Sequence, residues 1–360
     1  MGAYGTFSAR ARRISSLRSA LRAGQALFWL SRPVNLLLIV ATSGVALLLL
    51  WRDAGIAPAW GKWTLMVVST VAVAIGGYWL NDLYDQPIDR INRPKRALRV
   101  ARVGQRNLLA AVFAVWGIAL LLAGLLPLPL FLLHIAVILA LAWYARFGKR
   151  NGLLGNILIA ALTGLVPWEV MLLHRTTAYA VDWMIPLAIA FNFVRELVKD
   201  AEDIPGDRLY KVASLPNRLS PQRWQTFLGI AWLLLLPMAL LPAVVHKVAW
   251  GKLPLLYLLS ALIGVGVPWA WGWRVRWDYG RMSRLLKLAM AGGIGRFGFF
   301  CGWGGGPRRG GGRPPTAQPM QQPTLSPSDP ASLLTACTVP ETAPLPNRPD
   351  TASPIAHVPD

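Results

Sequence analysis

The stretch VSTVAVAIGGYWLNDLYDQPIDR, from Val68 to Arg90, decides how the chain is read. Its first half carries no charge, and its second half holds the carboxylates Asp82, Asp85 and Asp89. Positions i, i+3 and i+7 fall within about 60° of one helical face. Like charges stacked in this way repel, so a folded chain tolerates them where positive charge lies among them. The same spacing returns in VKDAEDIPGD, as Asp200, Asp203 and Asp207. Two apolar segments, each ending in an acidic triad, read as two membrane helices that deliver carboxylates to one place. The triads are expected to face each other across one diphosphate, with magnesium between them.

The composition agrees with a membrane protein. The 360 residues are 54% hydrophobic and 15% charged, where soluble domains carry about 25% charged residues. Apolar stretches of roughly 17–23 residues recur, long enough to cross a hydrocarbon core of about 30 Å. Spans are expected near 34–51, 63–80, 107–126, 128–146, 153–173, 183–199, 226–246 and 253–271, with a less regular ninth near 285–300. The fold class is therefore all-α, a polytopic membrane bundle of eight to nine helices around a central cavity.

A net charge of +21 would point to nucleic acid in a soluble protein, but its placement points elsewhere. Lys and Arg crowd the N-terminal arm and the connections after spans two, four, six and eight. Arg52, Lys62, Arg175, Lys247 and Lys252 fall in the other connections. The positive-inside rule then puts the N-terminus in the cytoplasm, in a bacterial-type cytoplasmic membrane, and no nucleic-acid partner is expected. Four spans separate the triads, so both face the same compartment. Most of the 17 Trp residues lie near span ends, as an aromatic belt would place them. The two cysteines, Cys301 and Cys337, form neither a disulfide framework nor a zinc site, and the four histidines are scattered.

Three regions follow. Residues 1–31 contain no Asp or Glu and are rich in Arg, Ser and Ala. They read as an interfacial helix, with a transit peptide and a loose basic arm as alternatives. Residues 32–300 hold the membrane domain. From 301 to 360 the chain turns to Gly, Pro, Ser and Thr, too poor in apolar residues to form a core, and is expected to be disordered. The ninth span begins as LLKLAMAGGIG and breaks up into GRFGFFCGWGGG, as a truncated helix would.

Half of the 16 acidic residues lie in the two motifs once Glu196 and Glu202 are counted. Carboxylates without His or Cys suit a hard cation such as Mg²⁺, which neutralises a diphosphate leaving group. A diphosphate handled at the mouth of an apolar bundle implies a lipid-like donor, a polyprenyl diphosphate whose tail lies in the interior. Ionisation gives an allylic cation that Tyr78, Trp79 and Tyr84 could shield, and an acceptor attacks C1. Asn35, one turn inside span one, is read either as a helix–helix hydrogen bond or as a ligand contact. Lys149 and Arg150 either anchor span four or grip a phosphate oxygen. Glu169, in span five, is read as a structural carboxylate outside the site.

NDLYDQPIDRINRPKR resembles the first Asp-rich motif of the UbiA superfamily of intramembrane prenyltransferases, and RELVKDAEDIPGDRLYKVASLP resembles its second. SRPVN and GKRNGLLGN match flanking patterns, so the similarity covers about residues 30–290. The resemblance implies a nine-helix bundle with caps over a central cavity, and Mg²⁺-dependent prenyl transfer. It assigns Asn81, Asp82, Asp85, Asp89, Asp200, Asp203 and Asp207 to the metal–diphosphate site, with Lys149, Lys199 and Arg96 on phosphate. The second motif is most similar to those of geranylgeranylglycerol-phosphate geranylgeranyltransferases, which implies a glyceryl ether phosphate acceptor. Aromatic acceptors of quinone or chlorophyll pathways are the alternative. The loop Arg96-Ala97-Leu98-Arg99-Val100 departs from the RPxPSG of many members. A cation-coupled transporter, or a folded but inactive remnant, is a further alternative.

Overall fold

The structure, a computed structural model, describes residues 18–148, 152–245, 262–266, 270 and 278–302. Among these there is no strand. Helix α1 covers 18–30, followed by α2 (Pro33–Ala54), α3 (Trp60–Asn92), α4 (Pro94–Val103), α5 (Gln105–Ala123), α6 (Leu128–Arg146) and α7 (Leu153–His174). Then come α8 (Tyr179–Glu202), the short α9 (Ile204–Leu209) and α10 (Leu215–Arg218), α11 (Pro221–Leu233), α12 (Leu235–Val245) and α13 (Tyr279–Gly302). A π-helical turn covers Leu262–Gly266. Among the described residues, six helical stretches are long and apolar enough to cross a membrane: α2, α3, α5, α6, α7 and Pro221–Leu240. The chain is an integral membrane protein with an all-helical bundle.

Local chemistry sets the ends. Pro33 occupies the first turn of α2, where its missing N–H costs nothing, and Gly55 closes the helix with a left-handed φ of 68°. Helix α3 has 33 residues, about 50 Å, so it outruns a hydrocarbon core of about 30 Å. Its extra turns carry Asp82, Asp85 and Asp89 on one helix, as the spacing predicted, and it passes Pro87 without breaking. Pro94 then starts α4.

The seventh and ninth expected spans differ in detail. The seventh is broken at Leu234 between α11 and α12. Pro237 lacks the N–H that would bond the Leu233 carbonyl, which accounts for the break. Of the eighth, only 262–266 and 270 are described, and Trp232 Nε1 donates to the Val265 carbonyl there at 3.2 Å. The ninth is a full helix, α13, of 24 residues that packs on α2 and α8 through buried Met282 and Leu286. Most of the expected tail, 303–360, lies outside the described residues.

Close packing follows small residues, as in other membrane bundles. Helix α3 lies against α5 and α6 at Gly76 and Gly77, where an added Cβ would meet Trp116 and Leu141. Trp116 is buried and its Nε1 donates to the Val73 carbonyl at 3.0 Å, so its ring cannot swing aside without losing that bond. Gly76→Val is expected to cost about 2–3 kcal/mol of stability. It should appear as a lower melting temperature of the detergent-solubilised protein. Helix α1 packs through buried Ala26 and Leu30 onto Val100, Val103 and Leu108.

Candidate functional site

The acidic ends of α3 and α8 are brought together. Asp82, Asp89, Asp203 and Asp207 are all buried, Asp82 completely. Asp85, Asp200, Asp203 and Asp207 line one small cleft of about 10 Å³, with Lys199 and Asn156. A space of that size holds about one water-sized particle.

The second triad does not ride on one helix. Helix α8 stops at Glu202, Asp203 forms a one-residue joint, and α9 begins at Ile204. Pro205 at the start of α9 cannot donate to the preceding turn, so the chain bends there. The bend turns Asp207 into the same cleft as Asp200.

Asn92 ties the two motifs. Its Nδ2 donates to the Asp203 carbonyl at 2.8 Å, and its Oδ1 accepts from the Gly206 N–H at 2.8 Å. A Cβ on Gly206 would lie 2.6 Å from the Asn92 amide, so only glycine permits this approach. Arg93 adds a forked pair, Nη2 and Nε donating to Asp203 Oδ1 at 2.9 and 3.2 Å.

Arginines lie among the carboxylates, the positive charge that the stacked triad demands. Arg32 donates to Asp82 Oδ1 at 2.6 Å, and its guanidinium lies 4.6 Å over the Tyr78 ring. Arg96 stands 3.7 Å from Asp82 and 3.5 Å from Asp89. Burial works against the charge on Arg32, but Asp82 more than compensates and holds it above its ordinary range. Burial and the neighbouring Arg32 hold Arg96 below its range.

Above the cleft a cavity of about 270 Å³ opens between α2, α3, α6, α7 and α8. Its mouth carries Arg32, Asn81, Tyr144, Arg195, Glu196 and Lys199. Glu196 accepts from Lys199 at 2.9 Å and from Arg195 at 2.8 Å. Deeper, the wall is largely apolar, with Val73, Val137, Leu162, Val166 and Leu187.

Of the residues singled out in sequence, Asn81 lines this cavity and donates to Asp85 Oδ2 at 3.0 Å. Asn35 lines it too, with Nδ2 3.5 Å from the Tyr78 hydroxyl. Lys199 borders both the cavity and the cleft. Arg96 reaches the first triad rather than the cavity wall. Lys149 and Arg150 lie outside the described residues. Of the three aromatic residues beside the first triad, Tyr78 faces the cavity. Trp79 instead donates to the Leu27 carbonyl at 3.2 Å, and Tyr84 is exposed beside Arg146. Sequence reasoning missed Arg32, Arg93, Arg195, Tyr144 and Asn92. It counted Arg32, Arg93 and Arg195 only among the basic residues that set topology, and gave Asn92 and Tyr144 no role.

The donor set is all oxygen, which suits Mg²⁺. Among the described residues, no three carboxylates, Cys or His come close enough to hold a metal in this arrangement. The arginines pair with the triads instead. Asp82 Oδ2, however, is fully buried and has no hydrogen-bond partner, so it is free to accept a cation. In donor chemistry and in this open oxygen the residues fit the ion, although their spacing here is set by the arginines.

Comparison with known proteins gives the family and the fold. The profile of the UbiA prenyltransferase family matches residues 18–291. Digeranylgeranylglyceryl phosphate synthase of Sulfurisphaera tokodaii is 30% identical over 164 residues, covering 45% of this chain and 59% of that protein. The chain thus spans less than two thirds of the length of that relative. The same-named protein of Methanopyrus kandleri is 30% identical over 237 residues, 63% of this chain and 82% of its own. A UbiA homolog from Archaeoglobus fulgidus, solved bound to GPP and Mg²⁺, has the same fold, with a TM-score of 0.54 and 16% identity over 75% of this chain and 99% of its own.

Proposed function

As the chain belongs to the UbiA prenyltransferase family, we propose that it transfers a polyprenyl group, geranylgeranyl first, from its diphosphate to a glyceryl ether phosphate. The observation that carries this reading is the convergence of two acidic motifs on one cleft beside an apolar cavity. The name shared by the Sulfurisphaera and Methanopyrus relatives supports the acceptor. The Mg²⁺ and GPP bound to the Archaeoglobus homolog support the cofactor and the donor class. The site opens to the cytoplasmic face, with the N-terminus on that side.

Asp82, Asp85, Asp89, Asp200, Asp203 and Asp207 would hold Mg²⁺. When bound, the ion supplies positive charge that neutralises the diphosphate leaving group. The chain's own residues do the rest. Lys199, Arg96, Asn81 and Asn35, with Arg32 and Arg195 at the mouth, hold the diphosphate oxygens, and Lys149 is assigned the same role. The apolar walls take the tail and exclude water that would intercept the cation. The C1–O bond breaks and its electron pair leaves with the diphosphate. Tyr78 and Tyr144 present ring faces to the allylic cation. The acceptor hydroxyl oxygen then bonds to C1, and its proton passes to the departing diphosphate.

The test is purified protein in detergent with geranylgeranyl diphosphate, Mg²⁺ and a panel of acceptors: glyceryl ether phosphate, hydroxybenzoate, homogentisate and dihydroxynaphthoate. Diphosphate release with the first acceptor alone is expected. Transfer to an aromatic acceptor instead would replace the acceptor and keep the reaction class. No release with any acceptor would overturn the proposal.

A further inference from the structure

Three helices carry hydrogen-bonded polar side chains far from the acidic motifs, in a part of the cavity whose other lining is mostly apolar. Glu169 on α7 is buried, and the Thr70 hydroxyl on α3 donates to its Oε2 at 2.7 Å. His134 on α6, also buried, places Nε2 3.4 Å from the same Thr70 oxygen. Its Nδ1 lies 2.8 Å from the Leu130 carbonyl, which fixes the ring. All three residues line the cavity, and each is the cavity residue of its helix most distant from the acidic end. Below them Leu47, Met66, Leu130 and Val170 are buried against one another, and none of these borders the cavity. The hydrogen-bonded bar across α3, α6 and α7 is therefore its floor.

We infer that Glu169, Thr70 and His134 form a polar stop that limits the donor's prenyl tail to about four isoprene units. The inference deepens the proposed function and rests on its reading of the cavity as the place of that tail. The cavity residues extend from Thr70 to Asn81 on α3, from His134 to Tyr144 on α6 and from Met184 to Lys199 on α8. At about 1.5 Å per residue, these intervals span roughly 15–22 Å. A fully extended chain advances roughly 1.2 Å per bond, so the four-bond isoprene repeat takes about 5 Å. Three to four units fit between mouth and floor. A fifth would have to displace the Thr70–Glu169 bond and press alkyl groups against a carboxyl and an imidazole, which lose their polar surroundings without compensation. Glu169, set aside in sequence as structural, thereby acts as a specificity-determining residue.

The test reads binding rather than turnover, so it does not depend on the acceptor. Polyprenyl diphosphates of two to six units are added to the purified protein, and the Mg²⁺-dependent part of the melting-temperature shift is followed. For the unaltered chain the shift should grow up to four units and then level off or fall. Glu169→Ala, which opens the floor, should move the maximum to five units. Glu169→Gln, which keeps shape and polarity, should leave it at four. Ala74→Phe, on the wall above the floor, should move it to two or three, and it keeps the test decisive should Glu169→Ala fail to fold. A shift that keeps rising to six units in the unaltered chain would overturn the stop, as would one maximum shared by Glu169→Ala and Ala74→Phe. Length-dependent binding without transfer to any acceptor would refute the proposed reaction and leave the stop standing. Absence of any Mg²⁺-dependent shift would overturn both.

Discussion

Asp82→Asn is expected to lower prenyl transfer by roughly a hundred- to a thousandfold, the scale seen when one well-placed electrostatic group is removed from a reacting centre. The carboxylate is completely buried, and one of its oxygens has no hydrogen-bond partner. Asparagine keeps the shape but removes the charge that a cation needs there. The fold pays a separate cost. Arg32, 2.6 Å away and largely buried, loses its counter-ion. Removing one partner of a buried ion pair costs about 3–5 kcal/mol, and the Asn carbonyl, still able to accept a hydrogen bond from Arg32, should bring the loss below that range. Two measurements separate these effects: turnover at saturating donor, and the melting temperature without donor. A drop in melting temperature of a few degrees with turnover near that of the unaltered chain would remove Asp82 from the metal site. The double variant Arg32→Leu/Asp82→Asn should recover stability, because both partners are gone, yet remain inactive.

The first triad was legible because a helix converts residue spacing directly into a shared face, and α3 is helical throughout. The second was legible as composition only. Pro205 breaks the helix after Asp203, so the face argument fails there and a bend does the converging. Arg32 and Arg93 were hidden by the very signal that gave the topology. A membrane protein puts arginine at span ends for orientation, and sequence does not distinguish an anchoring arginine from one folded back onto a carboxylate. The cavity floor was hidden differently. Thr70, His134 and Glu169 are far apart in sequence, and each alone reads as an ordinary polar residue of an apolar helix. Only their meeting at 2.7 and 3.4 Å gives them meaning. Trp79 shows the reverse error, since nearness to the triad in sequence did not bring it to the cavity.

Chelation should abolish transfer without unfolding the protein, and the charges explain why both halves hold. In the structure Arg32 and Arg96 approach the first triad and Arg93 the second, so part of the acidic charge is offset by the chain's own side chains. EDTA alone is therefore expected to change the melting temperature by no more than a degree or two. A diphosphate entering the mouth meets several buried carboxylates. At about 5 Å and an effective dielectric constant of about 20, each like-charge pair costs roughly 3 kcal/mol. Arg32, Arg96, Arg195 and Lys199 reach the diphosphate but share their charge with acidic side chains, so without the ion they do not offset that load. Transfer in EDTA should fall at least a thousandfold, since about 4 kcal/mol on the barrier suffices for that factor. Added Mg²⁺ should restore it. Ca²⁺, which prefers oxygen ligands at about 2.3–2.6 Å rather than 2.0–2.1 Å, should restore less than about a tenth. Sodium chloride at matched ionic strength should restore none, because screening acts weakly on buried charges. If transfer survived exhaustive chelation, the carboxylates would be serving the arginines alone, and the arginines would have to carry the leaving group without a metal.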